Sequence, residues 1–311
     1  MTIIERAADQ LKKDGSLGKE EEGIFADGNE NIFSQNPFDK IEQPSLGPTE
    51  SSSTPGSATG EPSFNTSAYC EIDLEYLASQ GILTPDSEDR TLIDNFRSIK
   101  RPILDNALGK GASRVTHPNL IMVTSSLPGE GKTFTSVNLA ISIASEMDKT
   151  VLLIDADVAK PSINTVLGIS SEQGLIDVLN EDVTDLSDVL LETNIPKLRI
   201  LPAGPRHRYS TELLASKAME LLADDLSRRY SDRIIIFDSP PLLITPEARV
   251  LTKFMGQVLL VVEAENTLET AVRDSLSLLE DNEIVGLVLN KSHANLNASY
   301  GHYGHYGHND E

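Results

Sequence analysis

A glycine-rich segment in the middle of the chain has the residue types and spacing that bind phosphate. Residues 126–133 read Ser-Leu-Pro-Gly-Glu-Gly-Lys-Thr and lie between a short apolar run and a helical pattern, with Ser126 where the usual motif has its first glycine. Glycines let backbone N–H groups turn toward phosphate oxygens, and the N-terminus of the following helix adds positive charge. We therefore predict an ATP and Mg²⁺ site, with Lys132 on the β and γ phosphates and the Thr133 hydroxyl on the metal. The predicted nucleotide-binding residues are Pro128, Gly129, Glu130, Gly131, Lys132, Thr133 and Phe134.

Two further segments end an apolar run in aspartate. Residues 151–157 read Val-Leu-Leu-Ile-Asp-Ala-Asp, and residues 234–241 read Ile-Ile-Ile-Phe-Asp-Ser-Pro-Pro. Open α/β sheets bind ligands at the carboxyl ends of their strands, and Mg²⁺ prefers carboxylate and phosphate oxygens. We expect Asp238 to orient the metal, and Asp155 and Asp157 to divide metal binding and proton abstraction between them. The predicted catalytic residues are Lys132, Asp155 and Asp157, and the predicted metal ligands are Thr133, Asp157 and Asp238.

Three of the seven tyrosines lie in a repeat near the end of the sequence. Residues 300–308 read Tyr-Gly-His three times over. Glycine at every third position disfavours helix and strand, so the pattern indicates an exposed arm. A phenol must lose its proton when it attacks phosphorus, which suits an accessible tyrosine beside a positioned carboxylate. We predict Tyr300, Tyr303 and Tyr306 as phosphoacceptors, and metal binding by the three histidines of the repeat is the alternative.

The elements that must position these residues alternate between apolar runs and helical patterns. Continuous apolar runs separated by helices indicate a parallel sheet covered on both faces. We therefore predict an α/β fold, doubly wound around a mostly parallel sheet, of the P-loop NTPase type. The predicted strands are 120–124, 151–155, 198–202, 233–237, 257–262 and 285–290, and a helical pattern covers 134–147.

The N-terminal third differs in composition from the rest. Residues 1–14 show a capping box and helical spacing, which predicts a short amphipathic helix. Within residues 41–70, 18 of 30 side chains are Ser, Thr, Gly or Pro, too few apolar groups to offset the entropy of ordering. We predict an acidic linker over 15–85, a P-loop domain over 86–292 that opens with a helix stopped by Pro102, and a tyrosine-rich tail over 293–311.

Charge and cysteine content limit the classes of partner and compartment. The formal net charge is -22, and residues 1–90 carry 18 acidic and 6 basic side chains. Such a field repels nucleic acid and bare anionic membranes, so no nucleic-acid partner is expected. Cys70 is the single cysteine, which fits a reducing compartment, and no apolar run is long enough to span a bilayer. We predict a cytoplasmic protein.

Together these motifs resemble those of bacterial tyrosine kinases of exopolysaccharide synthesis, in particular the exosortase-associated tyrosine autokinases. The resemblance covers residues 88–308 and, more loosely, 1–14. It rests on the glycine-rich loop, the Asp-Ala-Asp segment that continues to Lys160 and Pro161, Asp238-Ser-Pro-Pro, Thr211-Glu-Leu-Leu-Ala-Ser, Gly286-Leu-Val-Leu-Asn and the tyrosine tail. This chain has Ala159 where many members of that family have arginine. Members of the family also carry a Glu-x-x-Arg-x-x-Arg pattern that docks neighbouring subunits, and this chain has Asp94, Arg97 and Lys100 at those positions.

The resemblance implies an ATP-dependent tyrosine autokinase that phosphorylates its own tail and regulates exopolysaccharide synthesis or export. It also implies two partners: other copies of the chain, as a ring or a trans-phosphorylating oligomer, and a membrane-spanning polysaccharide chain-length determinant or co-polymerase at the inner face of the membrane. Two alternatives remain at this point, a partitioning-type P-loop ATPase switch and a nucleotide-gated scaffold without kinase activity. Partitioning ATPases carry a signature lysine five residues before the P-loop lysine, where this chain has Leu127.

Overall fold

A computed structural model describes residues 68–111, 115–183, 185–229 and 233–292. The predicted helix over 1–14, the linker up to residue 67 and the tail over 293–311 lie outside these ranges. The described residues contain one eight-stranded sheet, whose strands are β1 (Ala68–Cys70), β2 (Leu120–Ser125), β3 (Thr150–Asp155), β4 (Leu191–Thr193), β5 (Leu198–Leu201), β6 (Arg233–Asp238), β7 (Gln257–Glu263) and β8 (Val285–Asn290).

The strand order of the sheet is β1-β4-β5-β3-β6-β2-β7-β8. All neighbouring strands run parallel except β4 and β5, which pair antiparallel. The predicted doubly wound, mostly parallel sheet is therefore confirmed, and all six predicted strands are present. The short strands β1 and β4 were not predicted, because three-residue strands carry too little pattern to recognise.

Helices connect the strands and cover both faces of the sheet. They are α1 (Leu74–Ser79), α2 (Arg90–Ala107), α3 (Lys132–Ala144), α4 (Ile163–Leu167), α5 (Leu175–Leu179), α6 (Ser210–Leu214), α7 (Lys217–Arg229), α8 (Pro246–Leu251) and α9 (Glu269–Ser277). Short 3₁₀ turns occupy Leu186–Asp188 and Thr252–Phe254. Among the residues that the structure describes, no helix is both long and apolar enough to cross a membrane.

Alternation along the central strands builds two cores, one on each face of the sheet. In β2, Leu120 and Met122 belong to one buried cluster, whereas Ile121 and Val123 belong to the other. Successive side chains of a strand point to opposite faces, so a strand buried on both faces must be apolar throughout. This requirement explains the continuous apolar runs of the sequence and leaves polar residues at the strand ends.

The folded region begins earlier than the predicted boundary at residue 86. Strand β1 pairs with β4, and Leu77 in α1 is fully buried. The nearby Ile72, Ile82 and Leu83 are almost completely buried. The linker prediction is therefore wrong for residues 68–85. The composition of residues 41–70 predicted a linker, but the buried apolar side chains come after this window, and distant segments of the chain cover them.

The prediction that Pro102 stops the first long helix is also wrong, because α2 continues to Ala107 with Pro102 inside it. Proline removes a backbone donor and disfavours a helix interior. Tertiary contacts hold the next turn in place: Ile103 is 6% exposed, and the Gln257 side chain donates to the Ile103 carbonyl at 3.1 Å. Asn106 Nδ2 donates back to Gln257 Oε1 at 3.1 Å. Packing against β7 thus keeps this turn helical, although proline disfavours a helix interior.

Candidate active site

The glycine-rich loop leaves β2 and enters α3 through two residues with left-handed backbone. Gly129 has φ +90° and Gly131 has φ +96°, a region that side chains with a Cβ rarely adopt. A Cβ on Gly131 would also lie 2.0 Å from Asn290 Nδ2. Gly131 is the N-cap of α3, so Lys132 and Thr133 form its first turn. The structure thus has the strand, loop and helix that a phosphate-binding loop requires.

Distant residues clamp the loop from its outer side. Asn290 Nδ2 donates to the Glu130 carbonyl at 2.9 Å, and Lys291 Nζ donates to the Gly129 carbonyl at 2.7 Å. The Glu130 carboxylate accepts from the Leu127 backbone N–H at 2.8 Å and from the Thr267 hydroxyl. Glu130 is 2% exposed, so its side chain supports the loop, and its contribution to ligand binding is limited to the backbone.

Ser126, which stands in place of the first glycine of the usual motif, is fully buried. Its hydroxyl accepts a hydrogen bond of 2.8 Å from the Ser275 hydroxyl in α9. A buried hydroxyl without a partner would be costly, and this contact satisfies it. The serine therefore fits the loop by bonding to the helix that packs behind it.

Asp238 and Asp155 lie side by side at the carboxyl ends of two neighbouring strands, where β6 and β3 pair them in register. Asp238 is fully buried; its Oδ2 accepts from the Thr133 hydroxyl at 2.7 Å, and its Oδ1 accepts from the Ser136 hydroxyl at 2.9 Å. Burial raises the pKa of the Asp238 carboxyl, against the lowering effect of Lys132 and the two hydroxyl donors. The carboxylate is thereby aimed at the first turn of α3.

Asp155 is held mainly by backbone donors. Its Oδ2 accepts from the N–H groups of Ser162 and Ile163 at 3.0 Å each, and its Oδ1 accepts from the Asp157 N–H at 3.2 Å. Burial and the nearby charge of Asp238 raise the pKa of Asp155 to about 7. The backbone donors oppose this shift without reversing it. Asp155 therefore titrates in the pH range where a general base must work.

Asp157 forms an ion pair with the loop lysine. Lys132 Nζ lies 2.7 Å from Asp157 Oδ2, and Asp157 Oδ1 accepts from the Lys160 N–H at 3.1 Å. Burial alone would lower the pKa of Lys132, but the neighbouring charges of Asp238, Asp157 and Asp155 outweigh it and raise that pKa. Lys132 is thus a cation held between three carboxylates.

The comparisons with known proteins identify the family. A protein-family model described as an AAA domain matches residues 119–282. The tyrosine-protein kinase YwqD of Bacillus subtilis is 33% identical over 184 residues, which cover 58% of this chain and 76% of that protein. The chain belongs to the bacterial tyrosine-protein kinases.

Two further matches bear on this kinase. The crystal structure of the VpsO kinase domain is 34% identical, with a TM-score of 0.52, and covers 63% of this chain and 98% of that chain. The succinoglycan biosynthesis transport protein ExoP of Rhizobium meliloti is 32% identical over 216 residues, which are 68% of this chain but 26% of ExoP. The nucleotide-binding P-loop is confirmed, and kinase relatives do not favour the partitioning-type ATPase alternative.

Most of the predicted site residues of the kinase lie close together, but the Phe134 side chain packs elsewhere. Phe134 packs its ring against Phe96 of α2, with ring centroids 6.3 Å apart, so only its backbone is available to a phosphate. Pro128 is exposed. The predicted acceptors Tyr300, Tyr303 and Tyr306 lie outside the described residues.

Several residues that complete the site were not predicted from the sequence. Ser136 shares Asp238 with Thr133, and the Ser162 hydroxyl lies 2.9 Å from the Thr133 hydroxyl. Ser136 stands one helical turn after Lys132 and was recognisable by that spacing. Ser162, Thr267 and Lys291 carried no signal in the sequence, because each reaches the loop from a distant segment of the chain.

Proposed function

We propose that this chain is an ATP-dependent protein-tyrosine autokinase whose acceptors are Tyr300, Tyr303 and Tyr306. The observation that carries the proposal is the convergence of Lys132, Thr133 and three carboxylates at the mouth of the P-loop, with Lys132 Nζ 2.7 Å from Asp157 Oδ2. Family membership supplies the class of reaction. A phenol of the tail supplies the nucleophile.

The residues around Thr133 fit a magnesium ion. Their donors are hydroxyl and carboxylate oxygens, which are the ligands Mg²⁺ prefers, and three carboxylates face a single ammonium group in this cluster. We assign Thr133, Asp238 and Asp157 to the metal. When bound, the ion supplies positive charge that neutralises the β and γ phosphate oxygens.

In the proposed reaction, phosphate oxygens compete with Asp157 for the Lys132 ammonium. Lys132 then binds the β and γ phosphates, and the Asp157 carboxylate loses its ion-pair partner. A tail phenol attacks the γ phosphorus: the new bond joins the phenolic oxygen to phosphorus, the bond to the β–γ bridging oxygen breaks, and ADP leaves. Either Asp155 or Asp157 accepts the phenolic proton, as their position beside Lys132 allows.

Mass spectrometry of the expressed protein tests this proposal. The parent should carry phosphate on the tail, and Lys132→Met should reduce tail phosphotyrosine by a factor of at least about 100, because it removes the charge that holds the phosphates. Lys253→Met, an exposed lysine in the turn before β7, is the matched control and should behave as the parent. Undiminished phosphotyrosine in Lys132→Met would refute the kinase proposal. If phosphate were found only outside the tail, the acceptor assignment would be refuted.

The names of the relatives support a proposal about partners. Because ExoP is named as a succinoglycan biosynthesis transport protein, we propose that this kinase acts with a membrane-spanning polysaccharide co-polymerase and regulates polysaccharide synthesis or export from the cytoplasmic face. Co-sedimentation of the chain with membranes only when that partner is co-expressed would support the assignment.

Self-association through α2 needs one correction. Lys100, predicted to face a neighbouring subunit, is 7% exposed; its ammonium lies 2.6 Å from Glu146 Oε1 and donates to the Ser142 carbonyl at 2.7 Å. The ammonium is therefore engaged within its own chain. Arg97, whose side chain is 52% exposed, remains accessible for such a contact.

A further inference from the structure

A short basic loop stands out on this acidic protein. Residues 206–209 read Arg-His-Arg-Tyr, and both arginines are exposed. The Arg208 guanidinium lies 4.5 Å from the centroid of the Tyr209 ring, and the Tyr209 N–H donates to His207 Nδ1 at 3.3 Å. Neither arginine forms an ion pair with any residue of the described ranges. Two exposed arginines separated by one residue, on a chain of net charge -22 and with no ion-pair partner among the described residues, point to an anionic ligand.

The basic loop begins at the carboxyl ends of the parallel strands, where the catalytic carboxylates also lie. It follows β5, which pairs in parallel with β3 so that Leu201 lies opposite Ile154, the residue before Asp155. Its other end enters α6, where the Thr211 hydroxyl donates to Glu247 of α8 at 2.5 Å. The loop is therefore anchored at both ends beside the site. Strands are spaced about 4.8 Å apart, so β5 lies roughly 14 Å from β2 and its P-loop.

We infer that the basic loop docks the acidic end of the tyrosine tail, through ion pairs of Arg206 and Arg208 with Asp310 and Glu311. Tyr306 precedes Asp310 by four residues, a distance that extended chain spans in at most about 14 Å. Placing Tyr306 at the phosphate site therefore brings the acidic pair within reach of the loop. This inference rests on the proposed function, because transfer to the tail is what brings the tail to this edge.

Docking selects among the three acceptors. With the acidic pair on the loop, Tyr306 reaches the site with its linking segment almost extended, whereas Tyr300, ten residues before Asp310, requires the intervening chain to loop out. Exposed ion pairs stabilise a complex only modestly, so the selection is a preference in rate. Tyr306 should be the first tyrosine phosphorylated.

Initial rates of phosphorylation at each tail tyrosine, measured on the full chain by mass spectrometry, test the inference. Arg206→Ala with Arg208→Ala should lower the Tyr306 rate about three- to tenfold and leave the Tyr300 rate nearly unchanged. Asp310→Asn with Glu311→Gln should have the same effect, and combining the two pairs should add nothing further. Arg228→Ala with Lys253→Ala removes two exposed cations near the opposite edge of the sheet and should match the parent.

Charge reversal separates docking from a general structural effect. Arg206→Glu with Arg208→Glu should be rescued by Asp310→Lys with Glu311→Lys in the same chain. The inference would be overturned if the two neutralising pairs lowered the Tyr306 rate additively, or if the charge-reversed tail did not restore the rate of the charge-reversed loop. Either result would leave the kinase proposal intact.

A binding measurement keeps the two proposals distinguishable. A fluorescent peptide of residues 304–311 is titrated with a full chain whose own Asp310 and Glu311 are changed to Asn and Gln. The peptide should bind three- to tenfold more tightly than its Asp310→Asn, Glu311→Gln form, and the preference should vanish in the loop variant. If no tail tyrosine is phosphorylated in the parent, the proposed function fails, and equal binding of the two peptides refutes docking independently.

Discussion

At the scale of single residues, the site is an excess of buried carboxylates around one ammonium group. Asp155, Asp157 and Asp238 are all less than 5% exposed, and Lys132 makes direct contact only with Asp157 among them. Burying like charges together is unfavourable, and folding tolerates it here through backbone and hydroxyl donors. Such a cluster opposes folding but favours the binding of a cation, which is the pattern expected of a functional site.

The raised pKa of Asp155 predicts how stability depends on pH. Its folded pKa of about 7 exceeds the ordinary value near 3.9, so the native state binds more protons between these values and the free energy of unfolding falls as pH rises toward 7. Between pH 5.5 and 8, this group alone should lower the free energy of unfolding by on the order of 2 kcal/mol. Asp155→Asn removes that part of the pH dependence.

Urea unfolding without nucleotide or magnesium provides the measurement. The parent and the exposed-site control Asp281→Asn should lose stability in parallel over this pH range, and Asp155→Asn should lose less. Identical pH dependence in all three proteins would show that Asp155 titrates normally.

At the scale of secondary-structure elements, the P-loop depends on segments that lie far away in the sequence. Strand β8 ends at Asn290, which contacts the Glu130 carbonyl, and the segment after β7 supplies Thr267. At the other end of the domain, β1 and α1 extend the fold before the first motif, and Asn138 of α3 accepts from the Leu83 N–H at 2.8 Å. The helix that begins at the P-loop is thus tied to the N-terminal elements.

These N-terminal elements should contribute measurably to stability. Leu77 in α1 is fully buried, so Leu77→Ala should lower the free energy of unfolding by about 2 to 5 kcal/mol through lost burial and the cavity that remains. Leu108→Ala, at a leucine that is 46% exposed, should cost about 1 kcal/mol or less. Denaturant midpoints compare the two variants. Equal midpoints would mean that residues 68–85 do not belong to the cooperative fold.

At the scale of the whole molecule, the origin of the tail bears on how it reaches the site. Residues 290 and 291 donate to carbonyls on the outer side of the P-loop, so the described part of the chain ends behind the loop. The attacking oxygen must approach the γ phosphorus opposite the leaving oxygen, which is the side away from the loop. A tail from a second copy could approach that open side directly, whereas the chain's own tail would first have to pass around the loop. We therefore expect transfer between copies.

Mixing two defective chains tests this expectation. Lys132→Met keeps its tail but lacks the lysine that binds phosphate, and Tyr300→Phe with Tyr303→Phe and Tyr306→Phe keeps the site but lacks acceptors. Neither alone should gain tail phosphate. Together with ATP and Mg²⁺ they should phosphorylate the Lys132→Met tail at a rate that rises with the concentration of the second chain. Two results together would establish transfer within one copy. The first is no transfer in the mixture, and the second is a phosphorylation rate per parent molecule that does not change on dilution.

Local sequence patterns were sufficient to predict the P-loop, the three aspartates at the strand ends and the mostly parallel sheet. Each of these depends on local patterns: apolar runs that must be buried on both faces, glycines at the turn, and carboxylates placed where parallel strands end. Parallel strands bring their carboxyl ends to one edge, so Asp155 and Asp238 were predictable as neighbours although 83 residues separate them.

Long-range packing, by contrast, sets where α2 ends, where the fold begins and which residues hold the P-loop. Pro102 stays inside a helix because Gln257 bonds to the following turn, and residues 68–85 fold because β4 and α3 offer them partners. Thr267 and Lys291 meet the loop across more than 130 residues of chain. Contacts of this kind arise from the packing of elements already formed, and no local periodicity, cap or turn signal records them.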